Sequence, residues 1–349
     1  MMTQRLKTGV QWTWAAALAT VALCLFGAAA GAQASSSSGA DIEAGKRAYE
    51  VGDYDKAVET LKSVVAREPN SAVAHFLLTR TYYEMHNVDA AVAAGERAVA
   101  LGPNNSMYHV WLGLAYGMKA EHAGAFFFGF FLARKTRKEF EEAVRLDSHN
   151  FAAQQDMIEF YCKAPGIVGG GEDKAQRAAS ELMRLDEAEG HFAMGNCADA
   201  KKRYQQADAE FDAALEAKPK RTAVLYEIAD YELARDQDRV EKLQQVVEMA
   251  AAIDPADARK EFYRGVVLVM KSAQVREAER LLKNYIQNAP MRRIGFPRRT
   301  SAETWLGQAY EHEGNRDAAM AAYQAALASD PKNKAARDAL KRLEKAQRK

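Results

Sequence analysis

The chain repeats a helix-forming pattern every 34 positions, and this period restricts the folds that it can adopt. Pro69 and Pro103 stand 34 residues apart, and each follows a stretch rich in alanine and other helix formers. A fixed period of this size is typical of helix pairs stacked side by side, because one pair alone cannot bury its apolar face. The period therefore predicts an all-α protein in which each unit packs on its neighbours.

Two stretches match the consensus of one known repeat. The stretch that begins at Gly52, GDYDKAVETLKSVVAREPN, has small and apolar residues at the places where tetratricopeptide repeats (TPRs) carry them. Near the C-terminus, the TPR pattern L-G-x2-Y…A-x3-F…P is reproduced by Leu306, Gly307, Tyr310, Ala319, Tyr323 and Pro331. The chain thus resembles a TPR protein. The resemblance implies a right-handed α-α superhelix, the TPR solenoid, that holds partners and does not catalyse a reaction.

About eight such units fit the chain, each with a first and a second helix. The predicted units start near Ser38, Ala72, Ser106, Phe151, Ala188, Thr222, Ala258 and Thr300. Insertions within units three and four, and before unit eight, account for most of the residues beyond a strict repeat. We divide the chain into a signal peptide at 1–34, a Ser-rich tether at 35–40, the solenoid at 41–333 and an amphipathic capping helix at 334–349.

The N-terminal segment predicts export from the cytoplasm. Arg5 and Lys7 precede an apolar run from Trp14 to Ala30, and small residues then offer two cleavage sites, at 30–32 and 32–34. This order is typical of a secretory signal peptide, so we expect a periplasmic or secreted protein. An uncleaved membrane anchor stays open as the alternative, because the apolar run is nearly long enough to span a bilayer.

The charge of the mature chain excludes one class of partner. Removal of residues 1–34 takes away Arg5 and Lys7, so the formal net charge changes from +1 to −1. Bulk nucleic-acid binding needs a basic face, which this composition does not supply. We therefore expect no nucleic-acid partner, and no later segment is long and apolar enough to cross a membrane.

Two cysteines remain after the signal segment, Cys162 and Cys197, on the first helices of adjacent units. A disulfide is open to them in an oxidising compartment if their Cα atoms come within about 7 Å. The alternative, which we favour, is two small buried residues without a bond. Neither position has the spacing of a metal site.

The first helices of a TPR superhelix line its concave face, and their side chains predict what this face binds. Counted from the start of each unit, places 2, 5, 9, 12 and 13 point into the groove. Methionine and aromatic residues there suit an adaptable contact surface. The predicted groove residues are Phe76, Arg80, Tyr83, Met107, Val110, Leu114, Met118, Phe192, Tyr226, Phe262 and Val266, with polar interruptions at Glu159, Asn196 and Asp230. The alternative for any one of them is packing against a neighbouring helix.

The insertion in unit three carries a dense apolar cluster between Tyr116 and Phe140. Such a cluster is too short to span a bilayer, which takes about 20 apolar residues. If exposed, it would contact a membrane or a partner. Burial of each Phe contributes about 2 kcal/mol, which favours a plug folded against the concave face that acts as a lid. The residues of this insert are Phe126, Phe127, Phe128, Phe130 and Phe131.

Two further segments invite a binding interpretation. The insertion APGIVGGGEDKA, at 164–175, is rich in glycine, but Glu172 and Asp173 follow where a phosphate-binding loop needs Lys and Ser or Thr. We expect a structural loop there, with Glu172 and Asp173 starting the second helix. The basic stretch MRRIGFPRRT, at 291–300, is either an exposed linker or a contact for an anionic surface or partner.

The middle of the chain supports a closer resemblance. WLGLAYGMKAE, the apolar insert, KEFEEAVRLD and APGIVGGGEDKA together resemble a set of secreted bacterial TPR proteins of poorly defined role. Over residues 72–220 the chain is more distantly similar to the repeat domain of the regulator of microtubule dynamics family. That similarity implies organelle contacts and phospholipid binding. The signal segment and the extra C-terminal units depart from that family, so no microtubule role is carried over.

Catalytic patterns are missing from the sequence. The seven His are scattered and form no H-E-x-x-H motif, and no G-x-S-x-G motif occurs. We expect no enzyme activity and no cofactor. Our first hypothesis is an adaptor that binds a peptide or protein of the cell envelope in its concave groove. The alternative is a carrier of lipid or another hydrophobic ligand, with the Phe-rich insert as its lid.

Overall fold

The computed structural model describes residues 38–123, 127–235 and 239–347. The predicted signal peptide at 1–34 and the first residues of the predicted tether, 35–37, lie outside the described residues, as does Phe126. The first helix begins at Ser38, so the remaining part of the predicted tether is helical.

The described residues form seventeen α-helices that pack in consecutive pairs, which confirms the predicted all-α class. A short 3-10 turn at Gly166–Val168 lies between two of them. The pairs are α1 (38–50) with α2 (Tyr54–Arg67), α3 (Ala72–Glu84) with α4 (Val88–Leu101), α5 (Ser106–Ala123) with α6 (Phe127–Leu146), α7 (Phe151–Lys163) with α8 (Glu172–Leu185), α9 (Glu187–Ala200) with α10 (Tyr204–Glu216), α11 (Thr222–Arg235) with α12 (Val240–Ile253), α13 (Arg259–Met270) with α14 (Val275–Asn288), and α15 (Arg299–His312) with α16 (Arg316–Ser329), followed by α17 (Lys334–Gln347).

Short polar side chains fix where many helices begin. Ser71, Asn87, Asn150 and Asn315 each accept a hydrogen bond from the backbone N–H three residues further on. Such N-caps satisfy one of the backbone donors that the first turn of a helix leaves free. Ser71 and Asn150 cap first helices, and Asn87 and Asn315 cap second helices. Every first helix begins within one residue of its predicted unit start.

The first helices form the inner face of the stack. Each first helix packs on its own second helix, and in addition α3 packs on α5, α5 on α7, α7 on α9 and α13 on α15. Second helices other than α10 pack on the first helix that follows them as well as on their own partner. In a curved stack, the row of helices with the shortest spacing lies on the inside. The odd-numbered helices, which are the first helices, therefore line the concave face.

Small residues let the two helices of a pair approach closely. A Cβ atom at Gly113 would lie 2.6 Å from the ring of Phe140, and one at Gly307 would lie 2.6 Å from the ring of Tyr323. Both rings come from the second helix of the same pair and are buried. The glycines therefore leave the space that these rings fill.

The Phe-rich insertion lengthens a helix pair and does not form a separate plug. Helices α5 and α6 have 18 and 20 residues, whereas the other helices of the described residues have 12 to 14. Phe128 and Phe131 are each 55% exposed on the extension. The plug interpretation is therefore corrected for these two residues, because a continuous helix directs them away from the core. Phe130 is half-buried.

The two other predicted segments are present at the end of the array and in unit four. Helix α17 buries Ala336 and Ala339 against the C-terminal core, as an amphipathic helix on the last pair would. Helix α8 starts at Glu172, as predicted for the end of the Gly-rich insertion.

A disulfide joins α7 to α9. Cys162 and Cys197 are bonded, with their Cα atoms 5.7 Å apart. Our preference for two unbonded cysteines is therefore wrong. The reason is that first helices of adjacent units pack directly on each other, which brings the two side chains into register.

The close approach at Gly113 predicts opposite effects for two substitutions one helical turn apart. Gly113→Ala should lower the free energy of unfolding by about 1–3 kcal/mol, because the new methyl group overlaps the Phe140 ring. Gly117→Ala is the matched control, since its Cβ would lie 3.7 Å from Thr136 and fits. It should raise stability by about 0.5–1 kcal/mol through helix propensity alone. Urea denaturation followed by circular dichroism measures both, and equal effects would contradict the packing described.

The disulfide predicts a redox-dependent stability. Because it closes a loop of 35 residues, reduction should lower the free energy of unfolding by about 2–4 kcal/mol. Thermal melts with and without dithiothreitol measure the difference. A variant with both Cys162→Ala and Cys197→Ala should melt at the same temperature under both conditions. A reductant effect of the same size in that variant would rule out the bond as its cause.

Candidate functional site

The concave face contains a cavity of about 590 Å³ between α5, α6 and α7. Tyr83, Leu114 and Met118 of the predicted groove line it together with Phe130 of the predicted lid. Two sets of residues that the sequence analysis treated separately therefore meet at one place. The walls are mainly apolar. The space itself exists because the longer helices of unit three extend past the ends of their neighbours.

Four carboxylates from α7 and α11 stand together on the same concave face, and we call them the acidic patch: Asp156, Glu159, Glu227 and Asp230. Asp156 and Glu159 line the mouth of the cavity. The charges of Asp156, Glu159 and Glu227 act on one another across the groove. The patch therefore brings together units four and six of the array.

Three of these carboxylates, Asp156, Glu227 and Asp230, have raised pKa values, with loss of hydration as the largest cause. Loss of hydration raises the pKa of Asp156 to about 8, and the neighbouring charges of Glu159 and Glu227 raise it further, against a weaker opposing effect of Arg221. Loss of hydration likewise raises the pKa of Glu227 to about 7, with Glu159 as the next cause. Burial first, and then the nearby carboxylates, also raise the pKa of Tyr83 to about 12.

Lys163 pairs with Glu159 of the patch, whereas Arg221 and Arg259 are held by carboxylates outside it. Arg221 makes two hydrogen bonds to Glu189, at 2.5 and 2.6 Å. Arg259 bonds Asp257 at 2.6 Å. Within the described residues, neither Asp156 nor Glu227 has an ion-pair partner within 4 Å. The acidic patch is thus a place where a cationic group from outside would be stabilised.

A second recess continues the path on the other side of the patch. It measures about 420 Å³ and is lined by Asn196, Glu227, Asp230 and Arg235, among others. Asn196 and Asp230 were both predicted as polar interruptions of the groove. Asp156 and Glu159 of the acidic patch thus line the cavity, and Glu227 and Asp230 line this recess.

Three other predicted groove residues lie at the N-terminal end of the face. The guanidinium of Arg80 lies 4.4 Å from the ring centre of Tyr49 and 5.0 Å from that of Trp111. Phe76 packs on Tyr108, with ring centres 4.9 Å apart. Met107 is partly exposed. These side chains are accessible, but they lie apart from the acidic patch.

The remaining predicted groove residues are core residues in the structure. Each has at most 2% of its surface exposed and packs between helices. Phe192 packs on Phe211 and Phe262 on Tyr285, both on the second helix of the same unit, and Tyr226 stacks on Tyr263 of the next unit. A ligand on the concave face does not reach them in this structure. They are Val110, Phe192, Tyr226, Phe262 and Val266.

Phe126 and the side chain of Phe127 lie outside the described residues, so their part in the predicted lid stays a prediction. Phe128 and Phe131 form the exposed side of the same helix, and Phe130 faces the cavity. Of the insert, Phe130 is therefore the residue that the structure brings to the site.

Sequence reasoning missed Asp156 and Glu227. Both stand at the sixth place of their units, which was not among the places expected to point inward. The signal in the sequence is a carboxylate at the same place in two units. The sequence does not show that the curvature of the stack brings these two units together, so this signal alone did not predict a site.

The chain matches the tetratricopeptide repeat in three stretches, at residues 48–110, 188–221 and 263–334. Together with the stacked helix pairs, these matches show that the chain contains tetratricopeptide repeats. Proteins of this class are in general scaffolds for protein–protein interaction and are typically not catalysts. No curated protein sequence matches the chain.

Several solved structures are similar to the chain. A thermophilic TPR protein from Thermus thermophilus is 20% identical over 60% of this chain and 98% of its own, with a TM-score of 0.45. A TPR protein from Parabacteroides merdae is 11% identical over 88% of this chain and 99% of its own, with a TM-score of 0.39. The Cut9–Hcn1 hetero-tetramer of the APC/C is 12% identical over 84% of this chain and 53% of its own, with a TM-score of 0.48.

The described residues contain neither a candidate membrane span nor a candidate metal site. None of the helices there combines the length and apolarity that a membrane span requires. In the same residues, no three His, Cys, Asp or Glu side chains are grouped so as to hold a metal ion.

The raised pKa of Asp156 predicts a pH-dependent effect of its neutral isostere. The folded chain holds this proton more tightly than the unfolded chain, in which Asp titrates near 4. The contribution of Asp156 to stability therefore falls as the pH rises from about 4 to about 8, and is level above that range. Asp156→Asn should raise the melting temperature by about a few degrees at pH 9 and by less at pH 5.

Thermal melts at the two pH values measure this difference. Glu181→Gln, on the exposed side of α8, is the matched control and should give equal shifts at both pH values. If Asp156→Asn also gave equal shifts, the groove would not be the low-polarity environment described.

Proposed function

We propose that the protein is a periplasmic or secreted, non-catalytic adaptor that binds a peptide segment of a cell-envelope protein along its concave face. The observation that carries the proposal is the pair of unpartnered carboxylates, Asp156 and Glu227, flanked by two recesses. A basic residue of the peptide meets the acidic patch, and apolar residues beside it enter the cavity. The adaptor needs no cofactor for this role.

Charge supports this chemistry. Asp156 and Glu227 lie close to each other without a cationic partner. A Lys or Arg side chain that binds at the patch supplies this partner. Its arrival also lowers their pKa values, so binding near neutral pH releases protons. Affinity for a basic peptide therefore increases from pH 6 to pH 9.

The export signal and the disulfide support the proposed location. Structural disulfides persist in oxidising compartments such as the periplasm and the extracellular space. The bond between Cys162 and Cys197 suits such a compartment, and so does the sequence pattern at 1–34. Immunoblotting of cell fractions tests the location, and recovery of the protein in the cytoplasmic fraction contradicts it.

A hydrophobic-ligand carrier is the second candidate, and the cavity beside Phe130 favours it. Its volume of about 590 Å³ lies within the usual range for small-molecule pockets, about 300–1,000 Å³. The carboxylates Asp156 and Glu159 at its mouth disfavour a fatty acid or an anionic phospholipid, since like charges repel. This candidate is thus limited to neutral or cationic amphiphiles. Native mass spectrometry of protein purified from cells separates the candidates, because a co-purifying lipid supports the carrier and a stoichiometric polypeptide supports the adaptor.

Charge reversal on the concave face tests the adaptor. The double variant Glu159→Lys and Glu227→Lys should retain at least tenfold less envelope protein than the wild-type chain. Both exposed side chains then carry a positive charge and repel a basic segment. Pull-down from envelope extracts with quantitative mass spectrometry measures retention.

The matched control is the double variant Glu181→Lys and Glu216→Lys, which makes the same charge change on the second helices α8 and α10. It should retain the partner. Equal loss from both variants would show that only net charge matters, and equal retention would place the partner on another surface.

A further inference from the structure

The linker between α14 and α15, residues 289–298, crosses to the first two units of the array, and we call it the strap. The backbone N–H of Ile294 donates to both carboxylate oxygens of Glu84, at 3.1 and 3.3 Å, across 210 positions of the chain. The guanidinium of Arg292 lies 4.9 Å from the ring centre of Tyr54. The predicted exposed linker is therefore partly seated on the chain's own N-terminal units.

The surface under the strap is a built arrangement of three residues, Tyr49, Tyr54 and Glu84, and we call it the seat. The Tyr49 hydroxyl donates to Glu84 at 3.1 Å and accepts from Arg80 at 3.3 Å. Tyr54 is fully buried, and its hydroxyl has no hydrogen-bond partner within the described residues. The seat thus combines one carboxylate, one ring face and one unused polar group.

The strap uses only part of what the seat offers. Its contacts with the seat are one backbone N–H and one guanidinium, while the Ile294 side chain stays 52% exposed. Its other end is held independently, because Tyr285 donates to the carbonyl of Pro297 at 2.7 Å and Arg259 lies 5.1 Å from the Phe296 ring. The strap can therefore leave the seat without leaving α14 and α15.

We propose that the seat is a recognition site for an arginine-bearing loop of a partner protein, and that the strap occupies this site until the partner arrives. A guanidinium over an aromatic ring and a backbone N–H directed at a carboxylate are contacts that any such loop can make. The negative charge of Glu84 selects a basic segment. The strap itself contains a sequence that fits the seat, Arg-Arg-Ile-Gly.

This inference rests on the proposed function, since it names a second contact for the polypeptide partner on the same concave side. The two are separable because the acidic patch belongs to α7 and α11, whereas the seat belongs to α1, α2 and α3. A labelled strap peptide that binds normally to the Glu159→Lys and Glu227→Lys variant would uphold the seat even if the envelope partner ignored the patch.

The test uses the full chain and a fluorescein-labelled peptide with the sequence of the strap and the residue after it, 289–299, APMRRIGFPRR. In one variant Arg292→Ser and Ile294→Pro remove both contacts of the strap and leave the seat intact. Fluorescence anisotropy should show at least tenfold tighter peptide binding to this variant than to the wild-type chain, because a tethered strap competes at high effective concentration. Equal binding to both chains, or none to either, would overturn the proposal.

Specificity is tested with a second peptide and a second variant. A peptide carrying R292S and R293S should bind at least tenfold more weakly, and so should the labelled strap peptide when Glu84→Ala is added to the released chain. Arg298→Ser, in the same linker, is the control and should leave binding as in the wild-type chain. Retained binding in the Glu84→Ala chain would contradict a role for the seat.

A second measurement needs no substitution. Unlabelled strap peptide at high concentration should speed amide hydrogen exchange in residues 291–297 of the wild-type chain, because displaced strap loses the bond from Ile294 to Glu84. Melting temperatures of all variants establish that they fold. Unchanged exchange at a peptide concentration that saturates the wild-type chain itself, as judged by anisotropy, would overturn the proposal.

Discussion

The whole array depends on one contact that recurs inside its helix pairs, a side chain from the second helix filling the space above a glycine on the first. Phe140 lies over Gly113, Phe211 over Gly195, and Tyr323 over Gly307. Because these contacts set the distance between paired helices, they also set how the next pair stacks. The curvature of the concave face is the sum of these local fits. A binding surface that no single unit contains therefore follows from packing within each unit.

The longer pair in unit three shows how a local change makes a site in such an array. Extra turns on α5 and α6 extend beyond the neighbouring helices, so the space beside them is not filled by the next unit. Curvature then places Asp156 at the mouth of this space and brings the charge of Glu227 near it. The apolar cavity and the acidic patch are thus consequences of one insertion and one bend. Both features suit a guest that carries apolar and basic groups next to each other.

The sequence predicted the helices and their pairing well, because the 34-residue period, the capping residues and the small-residue positions are local signals. Every first helix begins within one residue of its expected position. The site was harder to predict. Tyr226 and Phe262 are core residues because their rings pack on Tyr263 of the next unit and on Tyr285 of the paired second helix, contacts that the place rule does not include. Asp156 and Ile294 matter through contacts between distant units, and periodicity carries no information about how far a stack curves. The bond between the two cysteines likewise depends on the register of neighbouring helices.

Site-specific photo-crosslinking in cells decides most directly whether the concave face is the binding surface. A photoreactive phenylalanine analogue at Leu114, in the wall of the cavity, should form an adduct of higher mass with a polypeptide partner. The same analogue at Leu185 or Ile253, which are exposed on the second helices, should form none. Adducts from the two outer positions together with none from Leu114 would contradict the account, because they would place the partner on the convex side.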